Sequence, residues 1–141
     1  MNPTVDKETF FQQPNVAMLA TTGPGQRPHA MPVWYLYQEG HFIISAGHNS
    51  QKVVNITRQG KAILVIDRRD PPYYAVMIHG TAKIGPPLSD DMMLKLSIRY
   101  LGEEKGLAYA PVLGKSASVS IYLQPVRIIE YHGEAGRSDY P

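Results

Sequence analysis

The sequence predicts a mainly β domain, a small antiparallel barrel of six or seven strands with helices at its corners. The first observation behind this prediction is the length of 141 residues, which is the size of one domain. The second is the content of 12 glycines and 12 prolines, which mark frequent turns between short segments. The third is that most of these segments are rich in β-branched or aromatic residues, as strands are. We therefore expect a single domain over residues 1–141.

The first half of the chain predicts a short helix followed by three strands. Thr4 is a suitable N-cap for a helix that ends at about residue 13. The three strands are expected to form a meander and to span Asn15–Thr21, Arg27–Gln38 and His41–Ala46. Pro28 and Pro32 cannot donate to a strand ladder, so the second strand should lie at an edge or carry a bulge.

The second half adds two helices and further strands. Ser50 and Gly60 are the expected start and stop of a short helix. Ser89 is the expected N-cap of a longer helix that ends near Leu101. The segment Lys61–Asp67 is apolar at nearly every position, so it is expected to be a strand buried on both faces. The remaining strands are expected over Tyr73–Ile84, Ser118–Leu123 and Val126–His132.

Composition and charge exclude several classes of protein. Lys and Arg number 14 against 12 Asp and Glu, too mild an excess for a typical nucleic-acid or membrane binder. The absence of cysteine excludes a disulfide framework, a thiolate nucleophile and a thiolate metal site. The five histidines show no metal-binding spacing, so no metal site is expected. With no long apolar run and no signal-peptide pattern, the expected location is cytoplasmic.

The segment from His48 to Asn55 is the clearest candidate for a binding site. If Ser50 caps the helix, its hydroxyl, the first backbone N–H groups and the ammonium of Lys52 converge directly after a strand. Such a convergence of donors favours an anion, above all a phosphate. The same residues also have an ordinary structural interpretation, because Ser is a common N-cap and Lys a common surface residue.

Three stretches in order resemble the pyridoxamine 5'-phosphate oxidase-like split-barrel flavoproteins, and within them the reductases that use the deazaflavin coenzyme F-420. These stretches are NVAMLATTGPGQRPHAMPVWY, then Ser50-Gln51-Lys52 with Asn55, then the strand ending in His79-Gly80-Thr81-Ala82. The resemblance covers roughly half of the chain, from about Val16 to Ile84. It implies the FMN-binding split-barrel fold and a homodimer with two cofactor sites at the subunit interface.

The resemblance also implies where the cofactor binds. The flavin-type ring would lie against the second strand, and the phosphate would lie at the helix start that follows the third strand. The partner chain would close the site with the strand around Ala75–His79 and part of its C-terminal segment. The implied cofactor-binding residues are His29, Met31, Pro32, Val33, Ser45, Ala46, Gly47, Ser50, Gln51, Lys52, Asn55, Met77 and Ile78. No catalytic residue is indicated, because the cofactor carries the hydride while the protein orients it and excludes water.

Two departures from the family pattern argue against vitamin-B6 oxidation. The oxidases carry a C-terminal Arg-x-His element, whereas Arg137 is followed here by Ser138 and Asp139. A glutamine that contacts the flavin in the oxidases corresponds to Ala75.

The stretch Arg27–Arg69 holds six basic residues against two acids, which suits the anionic tail of F-420. The cofactor prediction is therefore F-420, with FMN as the alternative.

The leading hypothesis is a reductase of a small conjugated or heteroaromatic molecule. A second hypothesis is a binding protein of the same fold that holds flavin, deazaflavin or haem without turnover. A third is a nucleic-acid binder of the OB type that stacks bases on Tyr35 and Tyr37, which the small net charge disfavours. The loops Arg68–Pro72 and Gly102–Lys115 are expected to line the substrate pocket.

Overall fold

The computed structural model describes residues 6–113 and 117–133, which form seven strands and four α-helices. The helices are α1 (Lys7–Gln12), α2 (Gln51–Gln59), α3 (Asp90–Leu101) and α4 (Glu103–Leu113). The strands are β1 (Ala17–Thr22), β2 (Pro28–Val33), β3 (Leu36–Gln38), β4 (His41–Gly47), β5 (Lys61–Arg68), β6 (Tyr73–Gly85) and β7 (Ser118–Gly133). The predictions for Thr4 and for Arg137-Ser138-Asp139 lie outside the described residues.

The seven strands form one antiparallel sheet in the order β2-β1-β5-β6-β7-β4-β3. The strands at its two ends, β2 and β3, are joined by only Trp34 and Tyr35. This connection spans at most about 11 Å, so the sheet must curl until its two ends approach each other. The predicted split barrel is therefore confirmed, and the split lies between β2 and β3.

The predicted meander is wrong, because the run Arg27–Gln38 forms two strands rather than one. β2 pairs with β1, whereas β3 pairs with β4 at the opposite end of the sheet order. The β3–β4 turn is formed by Glu39 and Gly40, whose φ angles of 51° and 77° are those of a tight hairpin turn. β2 is an edge strand, one of the two arrangements that its prolines predicted.

β5 differs from its prediction in burial. Ala62, Leu64 and Ile66 belong to the barrel core, whereas Ile63 and Val65 alternate with them on a half-buried outer face. The strand is apolar throughout because its outer face also carries apolar side chains, although that face is not enclosed within one chain. An unbroken apolar run therefore did not distinguish an enclosed strand from one with an apolar outer surface.

Two elements in the last third of the chain also differ from their predictions. β7 is one strand of 16 residues, and Pro125 is accommodated by a register shift opposite Gly80. Residues 103–113 were expected to be a loop but form α4. This helix packs closely on α3, because Gly106 has no side chain and a Cβ there would lie 2.5 Å from the Cα of Ile98.

The core consists of a barrel interior and a smaller cluster beside it. α1 closes one end of the barrel, where Phe10 packs edge-on against Tyr74 and Phe11 edge-on against Phe42, at 4.8 and 4.9 Å between ring centroids. The smaller cluster joins α3 to the β3–β4 hairpin and comprises Leu36, Ile43, Leu88, Met93 and Leu96. This second cluster fixes the position of α3 beside the barrel wall.

Candidate functional site

A cleft of about 440 Å³ opens between the barrel wall and the helices α2, α3 and α4. This volume lies within the range of small-molecule and cofactor sites. Its lining residues are Val16, Pro32, Val33, Trp34, Ser45, Ala46, Gly47, Lys52, Met93, Leu96, Leu113 and Ser118. They divide into a polar end beside α2 and an apolar end beside α3 and α4.

The polar end lies where β4 ends and β7 begins. Gly47 of β4 is directly opposite Ser118 of β7. The chain then turns, with the backbone N–H of Ser50 donating to the Gly47 carbonyl at 3.0 Å, and α2 begins at Gln51. The turn places the first residues of α2 beside the cleft, and Lys52 contributes to its lining.

The N-terminus of α2 has no side-chain cap. Ser50 has the extended backbone of an N-cap residue, but its hydroxyl donates to the Gly47 carbonyl at 2.7 Å instead of accepting from the helix. The first N–H groups of α2 are therefore left for another acceptor. Among the described residues that line the cleft, Lys52 is the single charged one. The ammonium and the positive end of the helix dipole together make this end attractive to an anion.

Gln51 and Asn55, two predicted cofactor-binding residues, bond to the protein itself. Gln51 Nε2 donates to Asn55 Oδ1 at 2.6 Å, and Asn55 Nδ2 donates to Thr21 Oγ1 at 3.0 Å. Asn55 is only 1% exposed. This chain of bonds ties α2 to β1, so these two amides position the helix that carries Lys52.

The structure brings six of the thirteen predicted cofactor-binding residues together in the cleft. The six are Pro32, Val33, Ser45, Ala46, Gly47 and Lys52. The seven that do not line it are His29, Met31, Ser50, Gln51, Asn55, Met77 and Ile78. Those in the cleft come from the ends of β2 and β4 and the start of α2, which neighbour one another in space but not in sequence.

Four of the residues outside the cleft lie on β2 and β6. Met31 is 44% exposed on the edge strand, and the buried Nδ1 of His29 has no hydrogen-bond partner among the described residues. Ile78 is fully buried inside the barrel, while Met77, its neighbour in the strand, lies half-buried on the outer face. These four residues would therefore reach a cofactor either through the backbone of β2 or from a second copy of the chain.

The basic residues that were expected to suit an anionic tail do not line one groove. Lys52 lies in the cleft, whereas Arg68 and Arg69 line a neighbouring pocket of about 380 Å³. The Arg68 guanidinium donates to the Pro72 carbonyl at 2.8 Å, and Arg69 Nε lies 3.4 Å from a carboxylate oxygen of Asp67. The positive charge of this loop is thus partly engaged within the loop itself.

The apolar end of the cleft is formed by residues that the sequence analysis did not name individually. Met93 and Leu96 come from α3, and Leu113 comes from α4, the segment expected to border the pocket as a loop. Trp34, in the connection between β2 and β3, lies half-buried in the cleft wall. No local pattern indicated these residues, because packing between distant parts of the chain brings them together.

Two further observations concern the described residues as a whole. They contain no group of three or more His, Asp or Glu side chains placed to hold a metal ion. None of their helices combines the length and the apolar character needed to cross a membrane.

The fold and the cleft define the class of protein: a split β-barrel with an anion-attracting cleft beside its edge strand. The chain belongs to the pyridoxamine 5'-phosphate oxidase family, whose sequence profile matches residues 6–132. This match confirms the resemblance drawn from the sequence. Among curated proteins, none matches the chain.

Several solved structures share the fold at low sequence identity. An F-420 reductase is 23% identical with a TM-score of 0.74, and the match covers 91% of this chain and 98% of the reductase. A conserved hypothetical protein of Mycobacterium tuberculosis is 18% identical with a TM-score of 0.73, covering 92% and 86%. The haem storage protein of Vibrio cholerae is 14% identical with a TM-score of 0.71, covering 90% and 94%. At these identities the likeness establishes the fold alone.

Proposed function

We propose that this protein is an oxidoreductase that transfers a hydride between coenzyme F-420 and a small conjugated or heteroaromatic substrate. The observation that carries the proposal is the polar end of the cleft. There the uncapped N-terminus of α2 and the half-buried Lys52 supply the donors that a cofactor phosphate needs. Membership of a family named for an oxidase supports redox chemistry, and an F-420 reductase of the same fold supports the choice of cofactor.

The remainder of the cleft suits the ring of such a cofactor. β2 pairs only with β1 among the described strands, so its free edge offers backbone N–H and carbonyl groups to the polar edge of a ring. Pro32 and Val33 provide an apolar surface beside that edge. The anionic tail of F-420 follows the phosphate, so it would leave the cleft beside Lys52, whereas Arg68 and Arg69 lie in a pocket that adjoins the ring end through Pro32. FMN has the same phosphate without that tail and remains the alternative.

The protein's own contribution would be binding, orientation and exclusion of water. When bound, the cofactor supplies the hydride chemistry. Lys52 would hold its phosphate, and the edge of β2 would fix the orientation of its ring. Among the described residues that line the cleft there is no carboxylic acid, histidine or tyrosine. Within the described part of one chain, the cleft therefore offers no such acid to the reduced substrate.

A pair of fluorescence titrations of the apoprotein, with F-420 and with FMN, tests the cofactor. We expect tight binding of F-420 at one per chain and weaker binding of FMN. Lys52→Ala should weaken binding about tenfold to a hundredfold, the range for one hydrogen bond to a charged group. Arg58→Ala is the matched control, since it removes a charge from the exposed last turn of the same helix. Unchanged affinity in Lys52→Ala would place the phosphate elsewhere, and binding of neither cofactor would reject the reductase function.

We also propose that the protein is a homodimer whose partner chain completes the cofactor site. A row of apolar side chains crosses five strands on the outer face of the sheet, each directly opposite the next: Pro32, Met18, Val65, Met77 and Ile129. Met18 is 37% exposed in the single chain. A second copy on this face would cover the row and border the cleft, because Pro32 belongs to both.

Sedimentation of the wild type and of one variant tests the dimer. Met77→Glu would place a charge within the row and should yield a monomer with weakened cofactor binding. Lys83→Glu is the control, since it changes the charge at an exposed position of the same strand. A wild type that sediments as a stable monomer would refute the shared site.

A binding protein without turnover is the second candidate, and it is supported by the structural likeness to a haem storage protein. The same fold and cleft would then hold flavin, deazaflavin or haem as cargo. Titration with haemin, followed by its Soret absorbance, tests this function directly. Tight haemin binding together with no turnover over a broad substrate panel would favour it over the reductase.

A further inference from the structure

Trp34 borders two cavities. It lines the cleft, and it also lines a groove of about 370 Å³ together with Leu101, Lys105, Ala108 and Tyr109. Trp34 lies in the two-residue connection that joins the opposite ends of the sheet. Its backbone is therefore held by β2 on one side and by β3 on the other, so the position of Trp34 beside the cleft is fixed.

The indole of Trp34 is also held by a stacked ring. Its centroid lies 4.8 Å from that of Tyr100, and the two ring planes differ by only 5°. Tyr100 is itself fixed: its hydroxyl donates to the Asn15 carbonyl at 2.9 Å and accepts from the Tyr35 N–H at 3.1 Å. The stack covers one face of the indole, and the half-buried ring borders the cavities with its remaining surface.

The surroundings of Trp34 in the cleft are apolar and polarisable. Met93, Leu96 and Leu113 complete this end, and no charged residue is among them. A rigid indole with thioether and aliphatic neighbours favours a flat, uncharged ring, because offset stacking adds to the burial of apolar area. A puckered saturated ring of the same size gains the burial but not the stacking.

We propose that Trp34 is the specificity-determining residue of the cleft, a stacking wall that selects flat, uncharged, conjugated rings as substrates, with Tyr100 as the residue that positions it. The proposal rests on the proposed reductase function, since it names the class of substrate for the same cleft. It goes beyond that function by assigning the choice of substrate to one side chain and its stacked support.

Matched ligands that differ in flatness test the proposal. 1-Tetralone is a neutral ketone whose carbonyl is conjugated to a flat, fused benzene ring, and 1-decalone is its saturated, puckered counterpart. Their dissociation constants are measured by equilibrium dialysis, with and without saturating F-420. The ratio of the two constants is compared in whichever of these conditions gives the tighter binding. Trp34 is the single tryptophan of the sequence, so quenching of the intrinsic emission reports in addition that tetralone binds beside it.

Wild type should bind 1-tetralone more tightly than 1-decalone and show quenched emission. Trp34→Leu should lower this preference about three- to tenfold, the range for one aromatic pair, while Trp34→Phe keeps most of it. Circular dichroism confirms that each variant is folded. In both Trp34 variants the affinity for F-420 or FMN should change less than twofold, whereas Lys52→Ala should weaken it strongly.

Three results would overturn the assignment of Trp34: equal or undetectable binding of both ketones by the wild type, an unaltered preference in Trp34→Leu, or a loss of cofactor affinity in Trp34→Leu as large as in Lys52→Ala. The last result would mean that the indole faces the cofactor ring instead of the substrate. The failure of the proposed function has a different signature, because binding of neither cofactor would reject the reductase while the preference between the ketones still tests Trp34.

Discussion

Gly106→Ala should destabilise the protein although it replaces a helical glycine by the best helix former. A Cβ at position 106 would lie 2.5 Å from the Cα, 2.7 Å from the backbone N and 2.8 Å from the Cγ1 of Ile98. Ordinary carbon contacts are about 3.5–4.0 Å, so α3 and α4 would have to separate by about 1 Å. The closest obstruction is backbone, which cannot move aside by changing a rotamer.

The magnitude follows from two opposing effects. Helix propensity favours alanine over glycine by about 1 kcal/mol. Overpacking against a backbone costs about 1–3 kcal/mol, and separation of the helices weakens the 2.8 Å hydrogen bond from the buried Ser97 hydroxyl to the Gly106 carbonyl by about a further 1 kcal/mol. The expected net loss in the free energy of unfolding is about 2 kcal/mol. In urea this lowers the midpoint by about 1 M.

Urea denaturation followed by circular dichroism measures this loss, and Ala108→Gly supplies the control. Ala108 is exposed on the same helix, so its replacement reports the propensity difference without the contact to α3. Because α3 and α4 supply Met93, Leu96 and Leu113 to the cleft, Gly106→Ala should also weaken the binding of 1-tetralone. A variant as stable as the wild type, or more stable, would refute the close packing of the two helices.

Three further predictions concern the supports of the barrel and of α2. Burial, together with the hydrogen bond from its hydroxyl to Glu8, raises the pKa of Tyr37 to about 12. The protonated hydroxyl therefore contributes its full stabilisation below pH 10, and this contribution should fall as the pH rises from 10 towards 12. Urea midpoints over this range should fall less steeply in Tyr37→Phe. Arg99→Met should remove the hydrogen bonds to three carbonyls at the end of α1 and lower the free energy of unfolding by about 2 kcal/mol. Hydrogen exchange should accelerate more in α1 than in the strands. Asn55→Ala should cost about 2 kcal/mol by breaking the bonds of Asn55 to Gln51 within α2 and to Thr21 of β1, whereas Lys52→Ala should leave the urea midpoint unchanged.

The sequence by itself determined the class of fold and the local features of the site. Frequent turns and β-rich segments predicted an antiparallel barrel of six or seven strands, because turn geometry and strand propensity depend on neighbouring residues. The stop of α2 at Gly60 and the cap of α3 at Ser89 were predictable for the same reason, and both are present. The position of Lys52 in the first turn after a strand was also a matter of local spacing.

Tertiary structure decided the features that depend on distant contacts or on the path of a turn. The order of the strands divides one predicted strand at Trp34 and sends its halves to opposite ends of the sheet. The Ser50 hydroxyl could cap α2 or bond back to Gly47, and only the folded turn after β4 selects the second. α4 has a proline inside it and little amphipathic pattern, and its packing rests on the absence of a side chain at Gly106.

The two ends of the cleft show the same division. The residues of its polar end lie mostly within the stretch from Ser45 to Lys52, and Ser118 of β7 joins them from a distant part of the chain. Its apolar end joins Trp34 to Met93 and Leu113, which are 59 and 79 positions further along the chain (34 to 93 and 34 to 113). A helix or strand period indicates that a side chain is buried but does not indicate which distant surface it meets. The residues of the polar end were therefore foreseeable from sequence, whereas the contribution of Met93 and Leu96 to the apolar end was not.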